Sequence, residues 1–263
     1  MELTLEVNVV MARQFRLVVV RFAVLVLVSC GVAASAQDDA RPSGADSPVI
    51  TPHVQEATQR WEKDIAAFDS LNDELEPSDE AILFIGSSSI RRWETMQRDM
   101  SPYRTIRRGY GGAKFTDMAV YAERVITPHQ YRAVVMFVGN GITAGPDSHS
   151  PELIEQMTRH IVDVAHQHRP DAPFFLIEIT PTQSRFGIWD KVRKVNERLR
   201  EIALTTPNTY FIETAGNFLH SDTKPRTELF VNDQLHLNEA GYRLWSDLIR
   251  RRLDDVFRMI AAE

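Results

Sequence analysis

The feature that most constrains the fold is an alternation of short apolar runs with longer amphipathic segments. The apolar runs have the length of β-strands and lie at residues 81–85, 104–107, 133–138, 173–179 and 209–212. Apolar side chains at helical spacing follow them, at residues 89–97, 114–125, 151–167, 187–204 and 239–259. Strands that alternate with helices form parallel sheets, because each crossover helix packs back onto the sheet. The sequence therefore predicts a three-layer α/β/α, flavodoxin-like fold with a mainly parallel five-stranded sheet.

The first 36 residues have the order of a secretory signal. Three arginines precede the apolar run 22–28, and small residues follow up to an A-x-A site at Ala34–Ala36. The apolar run is shorter than the about 20 apolar residues that a membrane-spanning helix needs. The sequence predicts that residues 1–36 are a signal segment and that the protein works outside the cytoplasm, secreted or periplasmic.

Cys30, the single cysteine, lies inside this signal. The order Leu27-Val28-Ser29-Cys30 resembles a bacterial lipobox, in which the cysteine becomes the lipid-modified N-terminus. Two outcomes therefore stay open: Cys30 is discarded with the signal, or it carries a lipid anchor that holds the protein at a membrane. Without another cysteine the domain has no disulfide.

The next segment, residues 37–53, is rich in Asp, Ser, Pro, Gly and Ala and is predicted to be a disordered linker. Apolar residues at helical spacing in 54–72 predict that the folded domain comprises residues 54–263 and begins with a helix. The net charge is −6, and the pairs and triplets of arginine are short. Arg107-Arg108 is therefore interpreted as a solvated face, and a nucleic-acid surface is not expected.

Two polar motifs supply the groups for nucleophilic catalysis. In Gly86-Ser87-Ser88-Ser89 an apolar strand runs into a glycine and three hydroxyls at the carboxyl edge of the predicted sheet. Near the C-terminus, Asp233-x-x-His236 places a carboxylate within reach of an imidazole, just before a helix. Alone, the serine motif is also typical of a helix N-cap. Alone, the Asp233-x-x-His236 motif is also typical of two neighbouring side chains on the surface.

Two further motifs follow predicted strands. Gly109-Tyr110-Gly111-Gly112-Ala113 can present a backbone N–H to an anion, and Asn140, between Gly139 and Gly141, can direct its amide into the crevice. Alone, the first is typical of a tight turn and the second of an Asn-Gly turn. Together, the four motifs supply a nucleophile, a base with its orienting acid, and oxyanion donors.

At these motifs the sequence resembles the SGNH (GDSL-type) hydrolase superfamily, in particular its small secreted single-domain esterases. The resemblance spans roughly residues 58–255 and follows the family's order of four blocks. It implies that Ser88 is the catalytic serine and that Asp233 and His236 complete the triad. It also implies that Ser88 N–H, Gly112 N–H and the Asn140 side chain form the oxyanion hole.

The segment Ile179-Thr180-Pro181-x-x-Ser184-Arg185 also looks like a subgroup of this superfamily, and by family position Arg185 and Trp189 line the substrate pocket. The chain departs from the common pattern at Ser87, where the family usually has Asp, and at Gly141, where Asp commonly follows the Asn. The second departure is expected to loosen the loop that carries Asn140.

The implied reaction is ester hydrolysis through an acyl-enzyme, with no metal and no cofactor. The leading substrate is a small carboxylic ester, such as an O-acetyl group on a carbohydrate. Short acyl chains are expected because loops 145–150 and 180–185 carry few large apolar side chains. The alternatives are a lysophospholipid or other lipid ester, and an inactive carbohydrate- or envelope-binding module of the same fold.

Overall fold

The structure, a computed structural model, describes residues 47–262 of the chain. The predicted signal segment, Cys30 with it, and residues 37–46 of the predicted linker lie outside the described residues. No helix among residues 47–262 combines the length and the hydropathy needed to cross a membrane.

A five-stranded parallel sheet forms the centre of the molecule. The strands are β1 (Ile82–Gly86), β2 (Thr105–Gly109), β3 (Ala133–Phe137), β4 (Phe174–Ile177) and β5 (Thr209–Ile212). They are ordered β2-β1-β3-β4-β5, and every neighbouring pair is parallel. This order and the helices on both faces confirm the predicted flavodoxin-like α/β/α fold.

The helices follow the strands as a parallel sheet requires. They are α1 (Thr51–Asn72), α2 (Ser88–Arg91), α3 (Met96–Asp99), α4 (Phe115–Val120), α5 (Ala122–Ile126), α6 (Pro151–His168), α7 (Trp189–Thr205) and α8 (Glu239–Ile260). Short 3-10 helices lie at Gln183–Ile188, Ala215–Phe218 and Thr227–Leu229. Helices α1 and α4 to α7 pack on one face of the sheet, and α2, α3 and α8 pack on the other.

The side chains of β1 show why both faces are covered. Leu83 and Ile85 belong to the core under the α1 and α6 layer, whereas Ile82 and Phe84 belong to the core under α8. All four are fully buried. Since successive side chains of a strand point to opposite faces, a continuous apolar run specifies a strand that is buried on both sides.

The order of the strands reverses between β1 and β3. The chain leaves β1 toward β2 and returns to β3, so the loops after β1 and β3 separate above the sheet and leave a crevice between them. Ser88 follows β1, and Asn140 follows β3. The topology therefore places both polar motifs at the same crevice.

The predicted linker extends too far toward the domain. Residues 48–50 form a turn, and α1 begins at Thr51 rather than at residue 54. Pro52 lies in the first turn of the helix, where its missing N–H and fixed φ are favourable. Ile50 is 1 % exposed and packs into the core, which gives these residues the apolar contact that composition alone did not indicate.

Two of the predicted helices are broken. The segment predicted as 89–97 forms α2 and α3, separated by a turn in which Trp93 is fully buried against Phe84 and Trp245. The segment predicted as 114–125 forms α4 and α5, with Tyr121 between them donating its hydroxyl to Glu62. In both cases a large aromatic side chain packs at the position where the helix is interrupted.

Arg108 contradicts the interpretation of Arg107-Arg108 as a solvated face. Arg107 is exposed, but Arg108 is 5 % exposed. Its guanidinium donates to Asn72 Oδ1 at 3.1 and 2.6 Å and lies over the Phe68 ring. Burial lowers the pKa of Arg108 to about 10. The alternation of the strand, which points successive residues to opposite faces, explains the difference between the two arginines.

Candidate active site

Ser88 lies on a tight turn between β1 and α2. The turn requires glycine at Gly86, because its φ is +144° and a Cβ there would lie 2.0 Å from the carbonyl oxygen of Phe137. The N–H of Ser87 donates to that same carbonyl at 3.0 Å, which ties the turn to β3. Ser87 is buried, and Ser88, the first residue of α2, is partly exposed. Ser89 is partly exposed as well, but it is the Oγ of Ser88 that lies 2.9 Å from Nε2 of His236.

Asp233 and His236 lie on a short loop that closes on itself. The N–H of Val231 donates to the carbonyl of His236 at 2.8 Å, and Asn238 caps α8 by accepting from the N–H of Gly241 at 3.0 Å. Oδ1 of Asp233 accepts from the N–H groups of Leu235 and His236, both at 2.9 Å. The loop's own hydrogen bonds therefore fix the carboxylate relative to the imidazole.

The three residues form one continuous hydrogen-bonded chain. Nδ1 of His236 lies 2.7 Å from Oδ2 of Asp233, and Nε2 of His236 lies 2.9 Å from Oγ of Ser88. The carboxylate can only accept, so Nδ1 carries a proton and Nε2 is free to accept the hydroxyl proton of Ser88. Chemically, the arrangement can move that proton from Ser88 to His236.

The carboxylate of Asp233 is held in its charged form. Desolvation would raise the pKa of Asp233, but hydrogen bonds from the His236 backbone, the His236 ring and the Leu235 backbone outweigh it. The net pKa of Asp233 lies well below its usual range. The carboxylate remains 43 % exposed, and Arg92 Nη1 lies 3.4 Å from its Oδ2. Sequence reasoning missed Arg92, because nothing local connects it to a residue 141 positions away.

The glycine-rich loop after β2 joins the other two crevice loops. The N–H of Tyr110 donates to the carbonyl of Gly86 at 3.0 Å, and Lys114 forms a parallel bridge with Asn140. Gly112 has φ +83°, a conformation that favours glycine. Within residues 47–262 its N–H donates to no backbone carbonyl. Gly112 thus lies in the loop between Gly86 and Asn140, where the motifs predicted it.

Asn140 is held by two hydrogen bonds. Its Nδ2 donates to the carbonyl of Ala113 at 3.2 Å, and its Oδ1 accepts from Arg185 Nη2 at 2.7 Å. The expectation that Gly141 loosens this loop is therefore wrong. Gly141 has φ +93°, and a Cβ there would lie 2.7 Å from Nδ1 of His149. The absence of a side chain at Gly141 allows His149 to pack against the loop. The N–H of His149 donates to the carbonyl of Gly141 at 2.7 Å.

A cavity of about 40 Å³ opens beside Ser88 and His236. Its lining includes Arg185 and Trp189, as the resemblance implied. Large apolar side chains also line it, namely Phe137, Ile179, Phe230, Leu235, Leu237 and Trp245. The pocket therefore has an apolar wall that the composition of the two loops did not indicate. The apolar side chains come from strand ends, from the Asp–His loop and from α8, whereas the expectation considered only loops 145–150 and 180–185.

Trp245 shows why sequence reasoning missed this wall. It lies at an apolar position of helical spacing within 239–259, a position typical of a core residue, and it is fully buried. It packs edge-on against Phe137 with ring centroids 4.9 Å apart, and both rings border the cavity. A residue can thus belong to the core and to the pocket at once. Helical periodicity shows only that a side chain faces inward.

Comparison with known proteins agrees with the fold. The chain matches the model of the GDSL-like Lipase/Acylhydrolase family over residues 69–244, more than half of its length. It is 25 % identical over 209 residues to the human platelet-activating factor acetylhydrolase IB subunit alpha1, covering 76 % of this chain and 87 % of that protein.

Two solved structures share the fold. A putative platelet activating factor from Streptococcus pneumonia superimposes with a TM-score of 0.63 at 18 % identity, covering 78 % of this chain and 97 % of the other. A carbohydrate esterase family 3 protein from Talaromyces cellulolyticus superimposes with a TM-score of 0.52 at 14 % identity, covering 70 % of this chain and 99 % of the other. On the strength of the family match, this chain belongs to the GDSL-like lipase/acylhydrolase family and is a carboxylic ester hydrolase.

Proposed function

We propose that the protein hydrolyses small carboxylic esters, such as O-acetyl groups on carbohydrates, through a Ser-His-Asp acyl-enzyme mechanism. The observation that carries the proposal is the hydrogen-bonded chain from Asp233 through His236 to Ser88, with contacts of 2.7 and 2.9 Å, at the mouth of a small cavity.

In the first step, Oγ of Ser88 attacks the ester carbonyl while Nε2 of His236 takes its proton. Asp233 holds the imidazole in the tautomer that leaves Nε2 free, and its charge stabilises the imidazolium that forms. The tetrahedral oxyanion is stabilised by the N–H groups of Ser88 and Gly112 and by the Asn140 amide.

In the second half of the reaction, His236 gives its proton to the leaving alcohol and the acyl group stays on Ser88. Water then enters, loses a proton to His236 and attacks the acyl carbonyl, and Ser88 leaves with the proton restored. The step needs only the groups of the chain and water.

The size of the cavity supports a short acyl group. The cavity beside Ser88 and His236 has a volume of about 40 Å³, which is more than one water needs and favours a small acyl group. The names of similar proteins point the same way, since one relative is an acetylhydrolase and one structural neighbour is a carbohydrate esterase.

The second candidate is a lysophospholipid or other lipid ester. The apolar lining favours it, because Phe137, Phe230 and Leu235 could receive methylene groups at about 0.8 kcal/mol each. The small volume of about 40 Å³ favours the short ester over it, since a long chain would have to extend beyond the cavity or widen it. An inactive binding module is the weakest candidate, because the geometry required for catalysis is intact.

The first test is hydrolysis of p-nitrophenyl acetate by the wild type, Ser88→Ala and Ser70→Ala. Ser70 is an exposed serine of α1 and serves as the matched control. We expect activity in the wild type and the control and a loss on the order of 10⁴-fold or more in Ser88→Ala. Acetate release from acetylated xylo-oligosaccharides, compared with fatty-acid release from lysophosphatidylcholine, separates the two substrate classes. An inactive wild type would contradict the proposal.

We also propose that the domain acts outside the cytoplasm, on the basis of the signal-like N-terminus. Expression of the full chain in a bacterial host with Cys30→Ser as the matched variant tests this. Incorporation of labelled palmitate that is lost in Cys30→Ser supports a lipid anchor, and a mature N-terminus after Ala36 supports a released protein. Retention of the uncleaved chain in the cytoplasm contradicts both.

A further inference from the structure

The amide of Asn140 has only one orientation that satisfies both of its partners. Oδ1 faces the guanidinium of Arg185 at 2.7 Å, and Nδ2 faces the carbonyl of Ala113 at 3.2 Å. A guanidinium can only donate and a carbonyl can only accept, so a flipped amide would lose both hydrogen bonds. Ala113 takes one of the two hydrogens of Nδ2, and the other remains available to an anion in the crevice.

In the part of the chain that the structure describes, Arg185 has no acidic partner. No carboxylate within residues 47–262 lies within 4.0 Å of its guanidinium. Besides Asn140, it donates to the carbonyl of Gly139 at 2.6 Å through Nη1. The side chain is partly buried, and desolvation lowers the pKa of Arg185. An arginine in such a place commonly pairs with a carboxylate, so its contacts with two neutral oxygens of the Asn140 loop require an explanation.

The segment that carries Arg185 also contacts the Asp–His loop. Arg185 belongs to the 3-10 helix Gln183–Ile188, and the N–H of its neighbour Ser184 donates to the carbonyl of Gln234 at 3.1 Å. Gln234 lies between Asp233 and His236 and has φ +54°. One short helix is thus hydrogen-bonded to the loop of the base and to the loop of Asn140, which keeps Arg185 in place.

We propose that Arg185 is a positioning residue for ester hydrolysis, acting through Asn140. It holds the amide with Nδ2 toward the crevice, and its charge at Oδ1 makes the remaining N–H of Nδ2 a stronger donor. Charge-assisted hydrogen bonds are roughly twice as strong as neutral ones, and hydrogen bonds in series polarise one another. The inference rests on the proposed function, since it assumes that an oxyanion forms beside Asn140.

The proposal predicts a loss in kcat rather than in KM. The oxyanion exists only in the transition state, so a better oriented and more polarised donor acts there and not on the bound ester. Arg185→Met removes both the donor and the charge while keeping an unbranched side chain. For p-nitrophenyl acetate, which is neutral, we expect kcat to fall about 10-fold and KM to change less than about twofold.

The decisive experiment is a double-mutant cycle with Asn140→Ala. If Arg185 acts through Asn140, Arg185→Met has no further effect, within about twofold, once the amide is gone. Arg185→Lys keeps the charge and a donor and should recover part of the lost kcat. Arg193→Met is the matched control, because Arg193 is exposed on α7 and pairs with Asp190. It should leave kcat and KM unchanged.

Other outcomes overturn the proposal in distinguishable ways. An equal loss in kcat with and without the Asn140 amide would show that Arg185 acts independently of it. A raised KM with an unchanged kcat would show that Arg185 binds the substrate directly. Wild-type kinetics would show that Arg185 neither binds the substrate nor acts through Asn140. If Arg185→Met does not fold, the same cycle with Arg185→Lys decides, with a smaller loss of about threefold expected only when Asn140 is present. An inactive wild type would instead contradict the proposed function itself.

Discussion

Both carboxylate oxygens of Asp233 are engaged with the residue that they orient. Oδ2 lies 2.7 Å from Nδ1 of His236, and Oδ1 accepts the backbone N–H of His236 at 2.9 Å. One oxygen thus orients the ring and the other fixes the backbone that carries it. Loop geometry and imidazole orientation therefore depend on the same carboxylate.

Asp233→Asn separates these two tasks. The asparagine oxygen can still accept the backbone N–H groups, but its NH₂ group faces Nδ1 and favours the tautomer in which Nε2 carries the proton. We expect kcat/KM to fall on the order of 10³-fold while the melting temperature changes little. Esterase kinetics and thermal unfolding of the same preparation measure the two effects. Near-wild-type kinetics would show that the exposed loop orients His236 without the charge.

His236→Ala should reduce kcat about as much as Ser88→Ala, and the double variant should be no worse than either. A nucleophile and its base act as a unit, so removing the second group after the first should not lower kcat further. Single-turnover measurements on p-nitrophenyl acetate provide the comparison. Additive losses would mean that Ser88 and His236 serve separate steps.

Asn140→Ala should lower kcat on the order of 10²-fold with little change in KM, as expected for an oxyanion donor. Asn140→Asp is the companion variant. It keeps the size and can pair with Arg185, but it replaces the donor with a negative charge, so its loss should be at least as large. Steady-state kinetics on an acetyl ester measure kcat and KM of both variants. A fall in kcat of less than about threefold in Asn140→Ala would show that Asn140 is only a loop residue.

Activity should be highest for acetyl and propionyl esters and should fall for chains of eight carbons or more. The cavity of about 40 Å³ favours a small acyl group, and Phe137 and Trp245, which pack against each other, border it. Values of kcat/KM across p-nitrophenyl esters of increasing length measure this. A maximum at eight carbons would favour a lipid ester.

Stability should fall as the pH drops from 6.5 to 4, in part through His129. This residue is 4 % exposed, and burial, with the nearby charges of Arg108 and His168, lowers the pKa of His129 to about 4. The unfolded chain takes up the proton near pH 6.5 and the folded chain only near 4, so protonation favours unfolding between these values. The full effect is about 3 kcal/mol. Urea unfolding of His129→Gln should show a shallower pH dependence, whereas His220→Gln, at an exposed histidine, should follow the wild type.

The alternation of apolar runs determined most of the fold, and the polar strand ends indicated the candidate site residues. Strand positions were correct to within two residues at each start, and β1, β3 and β4 were the clearest because a strand buried on both faces is continuously apolar. Asp233-x-x-His236 could be found because the interaction is local. Ser88 and Asn140 could be placed at one crevice because parallel strands end at the same edge.

Tertiary structure alone decided how the site is held and shaped. Arg185 contacts Asn140 across 45 positions and Arg92 contacts Asp233 across 141, and no periodicity encodes such distances. The cavity volume depends on how Phe137 and Trp245 pack against each other. The breaks in two helices depend on where the side chains of Trp93 and Tyr121 lie. Sequence patterns report which side of an element faces inward. Which side chains meet there, and how much space remains between them, is fixed only when the elements pack together.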